Sequence, residues 1–286
     1  MQINKLHFFV KLLRPKQWVK NIFVFAPLLF TGSFLNWTAN RNVLITFLLF
    51  CVASSAAYIV NDIKDQVVDR LHPEKSQTRP IAAGFISSNE ALIFLAILYL
   101  ILLSGWLFSS SVMLVIFSYL LLNIAYSYYL KHQPVIDIFT IGIGFVLRVF
   151  SGAVALSVQM SGWMFITSLC LAIYLASIKR KKELEQNIAK DSGRQVLRSY
   201  SISLVNRYAE MSATGALVFY GMFVMSSKPR LLLTIPFVLF GIFRYWFVIE
   251  DSTIGEAPTE VVLSDVPLII TICVWILICM WALWPS

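Results

Sequence analysis

The chain has 286 residues, of which 58% are hydrophobic and only 13% are charged, and its formal net charge is +8. Soluble domains are about half apolar and about a quarter charged, so this composition excludes an ordinary soluble globule. The sequence predicts one all-α integral membrane domain over residues 1–286, with no soluble appendage and no removable signal peptide.

Apolar runs long enough to cross a bilayer, which takes about 20 residues, recur along the whole chain. Their expected limits are 21–35, 43–60, 91–108, 110–130, 135–158, 162–178, 207–225, 231–249 and 266–284. We therefore expect about nine transmembrane helices in one bundle.

Basic residues are concentrated on one side of this arrangement. With the N-terminus inside, the segments facing the cytoplasm hold 18 of the 23 Lys and Arg residues. The positive-inside rule then predicts a multi-pass protein of the cell (inner, cytoplasmic) membrane. The cytoplasmic parts are a segment at 1–20 and two loops at 61–88 and 179–206. A one-sided positive field suits lipid headgroups or a polyanionic substrate, and nucleic acid is not expected because no basic domain stands clear of the membrane.

The N-terminal stretch reads as an amphipathic helix at the membrane interface, leading into the first run. Trp18 is expected to anchor it among the lipid headgroups. Lys20 and Asn21, at the cytoplasmic end of the run, are placed where they could reach a phosphate.

The most informative motif follows the second run and contains Asn61, Asp62, Asp65 and Asp69. The three aspartates have helical spacing, as do Asn61, Asp65 and Asp69, so each set shares one helix face. Like charges so placed repel, and Mg²⁺ relieves the repulsion because it prefers oxygen ligands and keeps positions for substrate phosphates. We expect a magnesium site here, and the alternative is a solvated helix end.

The loop after this motif contains Pro73 and Pro80, which prevent a continuous helix. Lys75 and Arg79 are therefore expected on an irregular segment that folds over the mouth of the bundle. Cations beside a carboxylate–metal site suit a diphosphate, whose charge neither group neutralises alone. A solvated basic loop is the alternative.

Two further cationic positions follow. Arg148 lies inside the fifth run, where an arginine is costly unless it faces a polar cavity or a partner. Asp137 begins the same run, about 16 Å away along a helix, so it is a partner only if the geometry permits. The alternative is an ion pair with a carboxylate on another span.

The sixth run ends in four consecutive cations, Lys179 to Lys182. Lys179 and Arg180 are expected to face the bundle, whereas Lys181 and Lys182 are expected to face lipid headgroups and to be largely solvated.

Nine spans with an Asn-Asp-x-x-Asp motif after the second resemble the UbiA superfamily of intramembrane prenyltransferases. The resemblance implies an all-helical bundle around a cytoplasm-facing polar cavity. Typical members carry a second acidic motif after span six, where this chain has Lys179, Arg180 and Glu183. Further stretches resemble one branch, the decaprenyl-phosphate phosphoribosyltransferases. They are residues 14–21, 58–69, 79–84, Ala125 to Ser127 with Lys131 and Asp137, Gly144-Phe145 with Arg148, Lys179-Arg180 with Glu183-Leu184, and Arg244-Tyr245 with 255–256 and 263–265.

The resemblance implies transfer of the phosphoribosyl group of phosphoribosyl pyrophosphate to a polyprenyl phosphate, for cell-envelope biogenesis. Asn61 and Asp65 would hold Mg²⁺ on the diphosphate, with Asp62 and Asp69 as further ligands or supporting groups. The expected substrate-binding residues are Lys20, Tyr58, Lys75, Arg79, Lys131, Arg148, Lys179 and Arg180. Membrane lipids are the other expected partners, and the oligomeric state stays open.

Two alternatives remain open. An aromatic prenyltransferase would need a second acidic pair on the cytoplasmic side. Acids do lie between spans eight and nine, which is the wrong place for that pair, at Glu250, Asp251, Glu256, Glu260 and Asp265. A transporter for an anionic solute would use Arg148 as its substrate charge, but the hydropathy pattern has no internal repeat.

Overall fold

The computed structural model describes residues 5–71, 75–190, 195–251, 262 and 264–284. All regular secondary structure in these residues is helical. The α-helices are α1 Lys5–Leu13, α2 Ala26–Phe30, α3 Trp37–Lys64, α4 Gln66–Leu71, α5 Lys75–Thr78, α6 Ser88–Ser104, α7 Ser110–Tyr128, α8 Ile136–Ala155, α9 Gly162–Lys190, α10 Ile202–Ser226, α11 Ile235–Asp251 and α12 Val266–Ala282. The longest 3₁₀ segments are Pro15–Phe25 and Pro229–Thr234.

Six helices in the described part of the chain are long and apolar enough to cross a membrane. They are Trp37–Lys64, Ser88–Leu107, Ser110–Tyr128, Ile136–Ala155, Gly162–Glu185 and Pro229–Glu250. Each coincides with one of the nine expected runs. Of the other three runs, the seventh is α10, the ninth is the shorter apolar helix α12, and the first is broken into short pieces.

Prolines and close packing against α8 divide the first run, together with the residues just before it, into short helical pieces. Pro15 and Pro27 each stand at the start of a new helical piece. A Cβ on Gly152 of α8 would lie 2.0 Å from the carbonyl oxygen of Val24, so only glycine admits this close backbone approach. The stretch predicted as an amphipathic helix is a 3₁₀ helix, Pro15–Phe25, that packs against α3 and α8. The indole N–H of Trp18 donates to Ser55 Oγ at 3.1 Å, and the interfacial location of the segment stays a prediction.

Local signals set the helix ends that position the site. Asn36 caps α3 by accepting from the Ala39 N–H, and Ser87 with Glu90 forms a capping box on α6. Helix α3 ends at Lys64, but Asp65 N still donates to Asn61 O at 2.8 Å, and Asp69 N donates to Asp65 O at 2.9 Å. The expected helical spacing of the acidic motif is thus kept across a bend.

The short helix α1 covers the segment between α5 and α6. Its Leu12 is fully buried in a cluster with Ile81 and Ile86. The rings of Phe8 and Phe85 stack with centroids 4.1 Å apart. These apolar contacts fix the residue that follows α1, Arg14, at the end of the bundle that carries the acidic motif.

Candidate active site

The four polar residues of the acidic motif, Asn61, Asp62, Asp65 and Asp69, form what we call the carboxylate motif. Asp62 is buried, and a single nitrogen of Arg14, Nη2, donates to both of its carboxylate oxygens, at 2.7 Å for Oδ2. Arg79 Nη1 also donates to Asp62, at 3.0 Å. Two arginines from separate segments therefore hold one carboxylate.

The other members of the carboxylate motif also have partners. Asp69 is buried, accepts from Arg79, and has Lys75 Nζ at 3.7 Å. Lys131, itself buried, donates to Asp65 at 2.6 Å. Asn61 Oδ1 accepts a long hydrogen bond from the Ser127 hydroxyl at 3.4 Å. The expected cations are thus brought to the expected acids, with Pro73 of the intervening loop outside the described residues.

The donor chemistry of the carboxylate motif suits a hard divalent cation. All its candidate ligand atoms are oxygens. Among the described residues, no three His, Cys, Asp or Glu side chains are grouped as a ready metal cage. Mg²⁺ does not need one, because it is typically bound by one or two carboxylates together with substrate phosphates and water.

Arg148 lies deep in the bundle and is almost completely buried. Its Nε donates to Asn21 Oδ1 at 2.8 Å, its Nη1 to the Gly144 carbonyl at 2.6 Å, and its Nη2 to the Tyr119 hydroxyl at 2.9 Å. The guanidinium also lies over the Tyr119 ring, 4.7 Å from the centroid. Every recorded hydrogen-bond partner of Arg148 in the described residues is neutral, so its charge is not compensated there. Asp137 is not its partner.

Lys20 belongs to the same region. It is half-buried, and its ammonium has no hydrogen bond or salt bridge recorded among the described residues. Burial, then the charges of Arg148 and Arg14, lower the pKa of Lys20 to about 8. Arg14 lies 4.8 Å over the ring of Tyr58, which places that tyrosine beside it. We call Arg14, Lys20 and Arg148 the cation group.

At the end of α9, the partners of Arg180 differ from the sequence-based expectation. Arg180 is fully buried and donates to Asp137 Oδ2 at 2.6 Å, to Glu183 at 2.5 Å and to the Tyr126 hydroxyl at 3.0 Å. The Tyr200 hydroxyl donates to the other oxygen of Asp137 at 2.6 Å. We call these five residues the Arg180 network. Two carboxylates compensate its one arginine.

The neighbours of Arg180 correct the expectation for the cationic run. Lys179, expected to face the bundle, has a side chain 43% exposed and lies 3.9 Å from Glu183. Lys181, expected to be solvated, is buried and paired with Glu250. The helix turns by about 100° per residue, so consecutive cations cannot share one face. Lys182 lies 3.8 Å from Glu185 on the same helix.

The acids between the last two spans are also engaged where the structure describes them. Arg244 donates to both oxygens of Asp265, and this bonding lowers the pKa of Asp265. Glu250 is held by Lys181. Glu256 and Glu260 lie outside the described residues.

Sequence reasoning missed three participants, Arg14, Tyr119 and Tyr200. Arg14 appeared only as part of a similar stretch, although its position beside the acidic motif follows from the packing of α1. Asn21, expected within reach of a phosphate, is buried and bonded to Arg148 and Ser54. Tyr119 and Tyr200 carried no local signal, because their partners are distant in the chain.

The comparisons with known proteins agree with this architecture. The UbiA prenyltransferase family matches residues 22–259. The decaprenyl-phosphate phosphoribosyltransferase of Mycolicibacterium smegmatis is 33% identical, over 93% of this chain and 89% of its own. That of Corynebacterium glutamicum is 34% identical, over 93% and 84%. The structure of a UbiA homologue from Archaeoglobus fulgidus bound to GPP and Mg²⁺ superposes with a TM-score of 0.74 at 18% identity, over 96% of this chain and 99% of that one.

The class defined by these findings is that of multi-pass, all-helical membrane transferases. Within it, the chain belongs to the UbiA prenyltransferase family.

Proposed function

We propose that this protein transfers the 5-phosphoribosyl group of phosphoribosyl pyrophosphate to a polyprenyl phosphate and releases diphosphate. Curated relatives covering most of the chain are named decaprenyl-phosphate phosphoribosyltransferases, which supports the proposal. The observation that carries it is the cation group, where Arg148 and Lys20 have no recorded carboxylate partner in the described residues.

The charge distribution of the substrates explains why this observation matters. Phosphoribosyl pyrophosphate has a diphosphate on C1 and a separate 5-phosphate, and the lipid acceptor adds a third anionic group. A prenyl diphosphate with an aromatic acceptor such as 4-hydroxybenzoate presents one diphosphate and no further phosphate, only a single carboxylate. A carboxylate–metal site therefore suits the diphosphate, and an additional uncompensated cationic site suits the further phosphates of the phosphoribosyl donor and its acceptor.

We assign the residues accordingly. Asn61 and Asp65 would hold Mg²⁺, with Asp62 and Asp69 supporting them, and the metal when bound would neutralise charge on the leaving diphosphate. Lys75, Arg79 and Lys131 would turn from their carboxylates to the diphosphate. The remaining phosphates would be held by Lys20, Tyr58 and Arg148. We assign Arg180 to the scaffold because its charge is already compensated, and we give Lys179 at most a peripheral contact.

The reaction needs no general base. The bond between C1 of the ribose and the diphosphate oxygen breaks, and the electron pair leaves with the diphosphate. An oxygen of the lipid phosphate then forms the new bond to C1. Because that oxygen is already anionic, no proton has to be removed, and the protein's contribution is positioning and charge stabilisation.

We further propose the arrangement in the cell. The six long apolar helices, α10, α12 and the broken first run would make nine crossings around a cavity that opens to the cytoplasm. The N-terminus and the carboxylate motif would both face the cytoplasm, in agreement with the distribution of basic residues. The chain forms a single domain in this proposal.

Purified protein incubated with ¹⁴C-labelled phosphoribosyl pyrophosphate and a polyprenyl phosphate tests the function. We expect label in the lipid fraction with Mg²⁺ and none after chelation with EDTA. A parallel incubation contains a polyprenyl diphosphate and 4-hydroxybenzoate. Prenylation of that aromatic acid without label transfer to lipid phosphate would overturn the proposal in favour of an aromatic prenyltransferase.

A further inference from the structure

The Arg180 network ties together segments that are far apart in the chain. Tyr126 comes from the end of α7, Asp137 from the start of α8, Arg180 and Glu183 from α9, and Tyr200 from the segment before α10. Asp137 and Arg180 are both fully buried, and Tyr200 is nearly so. Such a buried, mutually bonded set fixes the relative positions of its segments.

Tyr200 makes a second contact, to the backbone of the turn at residues 129–135. The Val135 N–H donates to the Tyr200 hydroxyl at 2.5 Å. Val135 has φ 69° and ψ −47°, a conformation that is rare and strained, above all for a β-branched residue. A strained turn persists only where its surroundings hold it, and the hydroxyl of Tyr200 is the side-chain group recorded on this amide.

The same turn carries Lys131, which is buried and donates to Asp65 at 2.6 Å. Lys131 lies in a single 3₁₀ turn, Leu130–His132, only four residues before Val135. A change in the backbone at Val135 therefore moves the lysine relative to the carboxylate motif.

We propose that Tyr200 is a positioning residue for the diphosphate site: its hydroxyl, donating to Asp137 and accepting from Val135, holds the turn that places Lys131 beside Asp65. Burial and the bond to the Asp137 carboxylate raise the pKa of Tyr200, so the hydroxyl keeps its proton and both bonds at working pH. Tyr200 does not touch the substrate. It acts through Lys131.

The inference rests on the proposed function only for the identity of the donor, so inorganic diphosphate with Mg²⁺ is the probe. Its dissociation constant is measured by calorimetry for wild type, Tyr200→Phe, Lys131→Ala and the double variant. Tyr208→Phe is the matched control, because Tyr208 packs at the edge of the same apolar cluster and its hydroxyl has no hydrogen bond to any residue that the structure describes. Tyr200→Phe keeps the ring and removes only the two hydroxyl bonds.

We expect Tyr200→Phe to weaken binding of diphosphate about tenfold, which is the range of a lost buried hydrogen bond. In the Lys131→Ala background the same change should alter binding less than twofold, and Tyr208→Phe should alter it less than twofold in either. An equal loss in both backgrounds, or no loss in wild type, would overturn the inference.

Val135→Gly supplies an independent arm, because glycine adopts this backbone without strain. If Tyr200 acts by holding the strained turn, adding Val135→Gly to Tyr200→Phe should restore most of the lost affinity for diphosphate. Should Tyr200→Phe alone fail to fold, the same second substitution should restore its folding. Failure to restore affinity in a folded double variant contradicts the mechanism. Transfer of a prenyl group by wild type, with these binding results intact, would reject the proposed donor and leave the role of Tyr200 standing.

Discussion

Arg148 and Arg180 are two buried arginines of one bundle with opposite surroundings. Arg148 donates to an amide oxygen, a backbone carbonyl and a phenol, and it lies over aromatic rings. Arg180 donates to two carboxylates and a phenol. Both guanidinium groups are removed from water, but of the two only Arg180 is paired with carboxylates.

The difference separates a binding cation from a scaffold cation. A buried charge without a counter-ion is unfavourable, and an arriving phosphate relieves that cost. A charge already paired with two carboxylates gains little from a phosphate and would have to break good bonds to reach it. Depth in the membrane alone does not make the distinction, because both side chains are equally hidden.

Replacing Asp65 by Ala tests the binding side of this comparison most severely, through the carboxylate motif that is proposed to hold the metal. Losing a primary metal ligand should reduce turnover at least about 10³-fold, because the diphosphate then leaves without its main charge stabilisation. The rate is measured at saturating Mg²⁺, with a thermal unfolding scan as the folding control. A variant that keeps more than about a tenth of the wild-type rate would remove Asp65 from the primary ligands.

Replacing Arg180 by Gln tests the other side of the comparison. It leaves the fully buried carboxylate of Asp137 without its cation and removes one partner of the half-buried Glu183, so we expect a loss of about 3–5 kcal/mol in unfolding free energy. Lys179→Gln is the neighbouring control and should cost less than about 1 kcal/mol, because the side chain of Lys179 is 43% exposed and its ion pair with Glu183 is 3.9 Å long. Equal, small losses in a denaturant titration would contradict the scaffold role.

Arg148→Gln should have the reverse profile. It orphans no carboxylate recorded among the described residues, so unfolding should change little, whereas the dissociation constant for phosphoribosyl pyrophosphate should rise about 10- to 150-fold. Arg41→Gln, an exposed arginine at the far end of α3, is the matched control and should bind as wild type does. If Arg148→Gln binds normally but unfolds early, the contrast with Arg180 is wrong.

The smallest expected effect is a pH dependence. Free Lys20 titrates near pH 8, and a bound phosphate raises the pKa of Lys20 because the opposite charge favours the ammonium. Below pH 8 the affinity for phosphoribosyl pyrophosphate is therefore unaffected. Above pH 8 its binding requires Lys20 to take up a proton, which weakens the affinity about tenfold by pH 9. Calorimetry in buffers of different ionisation enthalpy detects the uptake. It should vanish in Lys20→Met, and its persistence there would assign the proton to another group.

Several features followed from the sequence because local chemistry determines them. Runs of apolar residues need a bilayer or a core whatever the fold, so six of the expected spans are present as long helices. The spacing of Asn61, Asp65 and Asp69 survives the bend at Asp65 because each residue is bonded to the one a turn before. The motifs similar to one family correctly indicated the family.

The tertiary structure alone decided which charges meet. Consecutive cations on α9 have the same local sequence environment, and only the packing of α9 against α8 and α11 buries Arg180 and Lys181 while leaving Lys179 exposed. The partners of Arg148 come from the first run and from α7, 127 and 29 residues away. The sequence determines that a buried arginine must have hydrogen-bond partners, because a buried guanidinium without them is too costly in free energy. Whether those partners are neutral groups or carboxylates is decided by the fold.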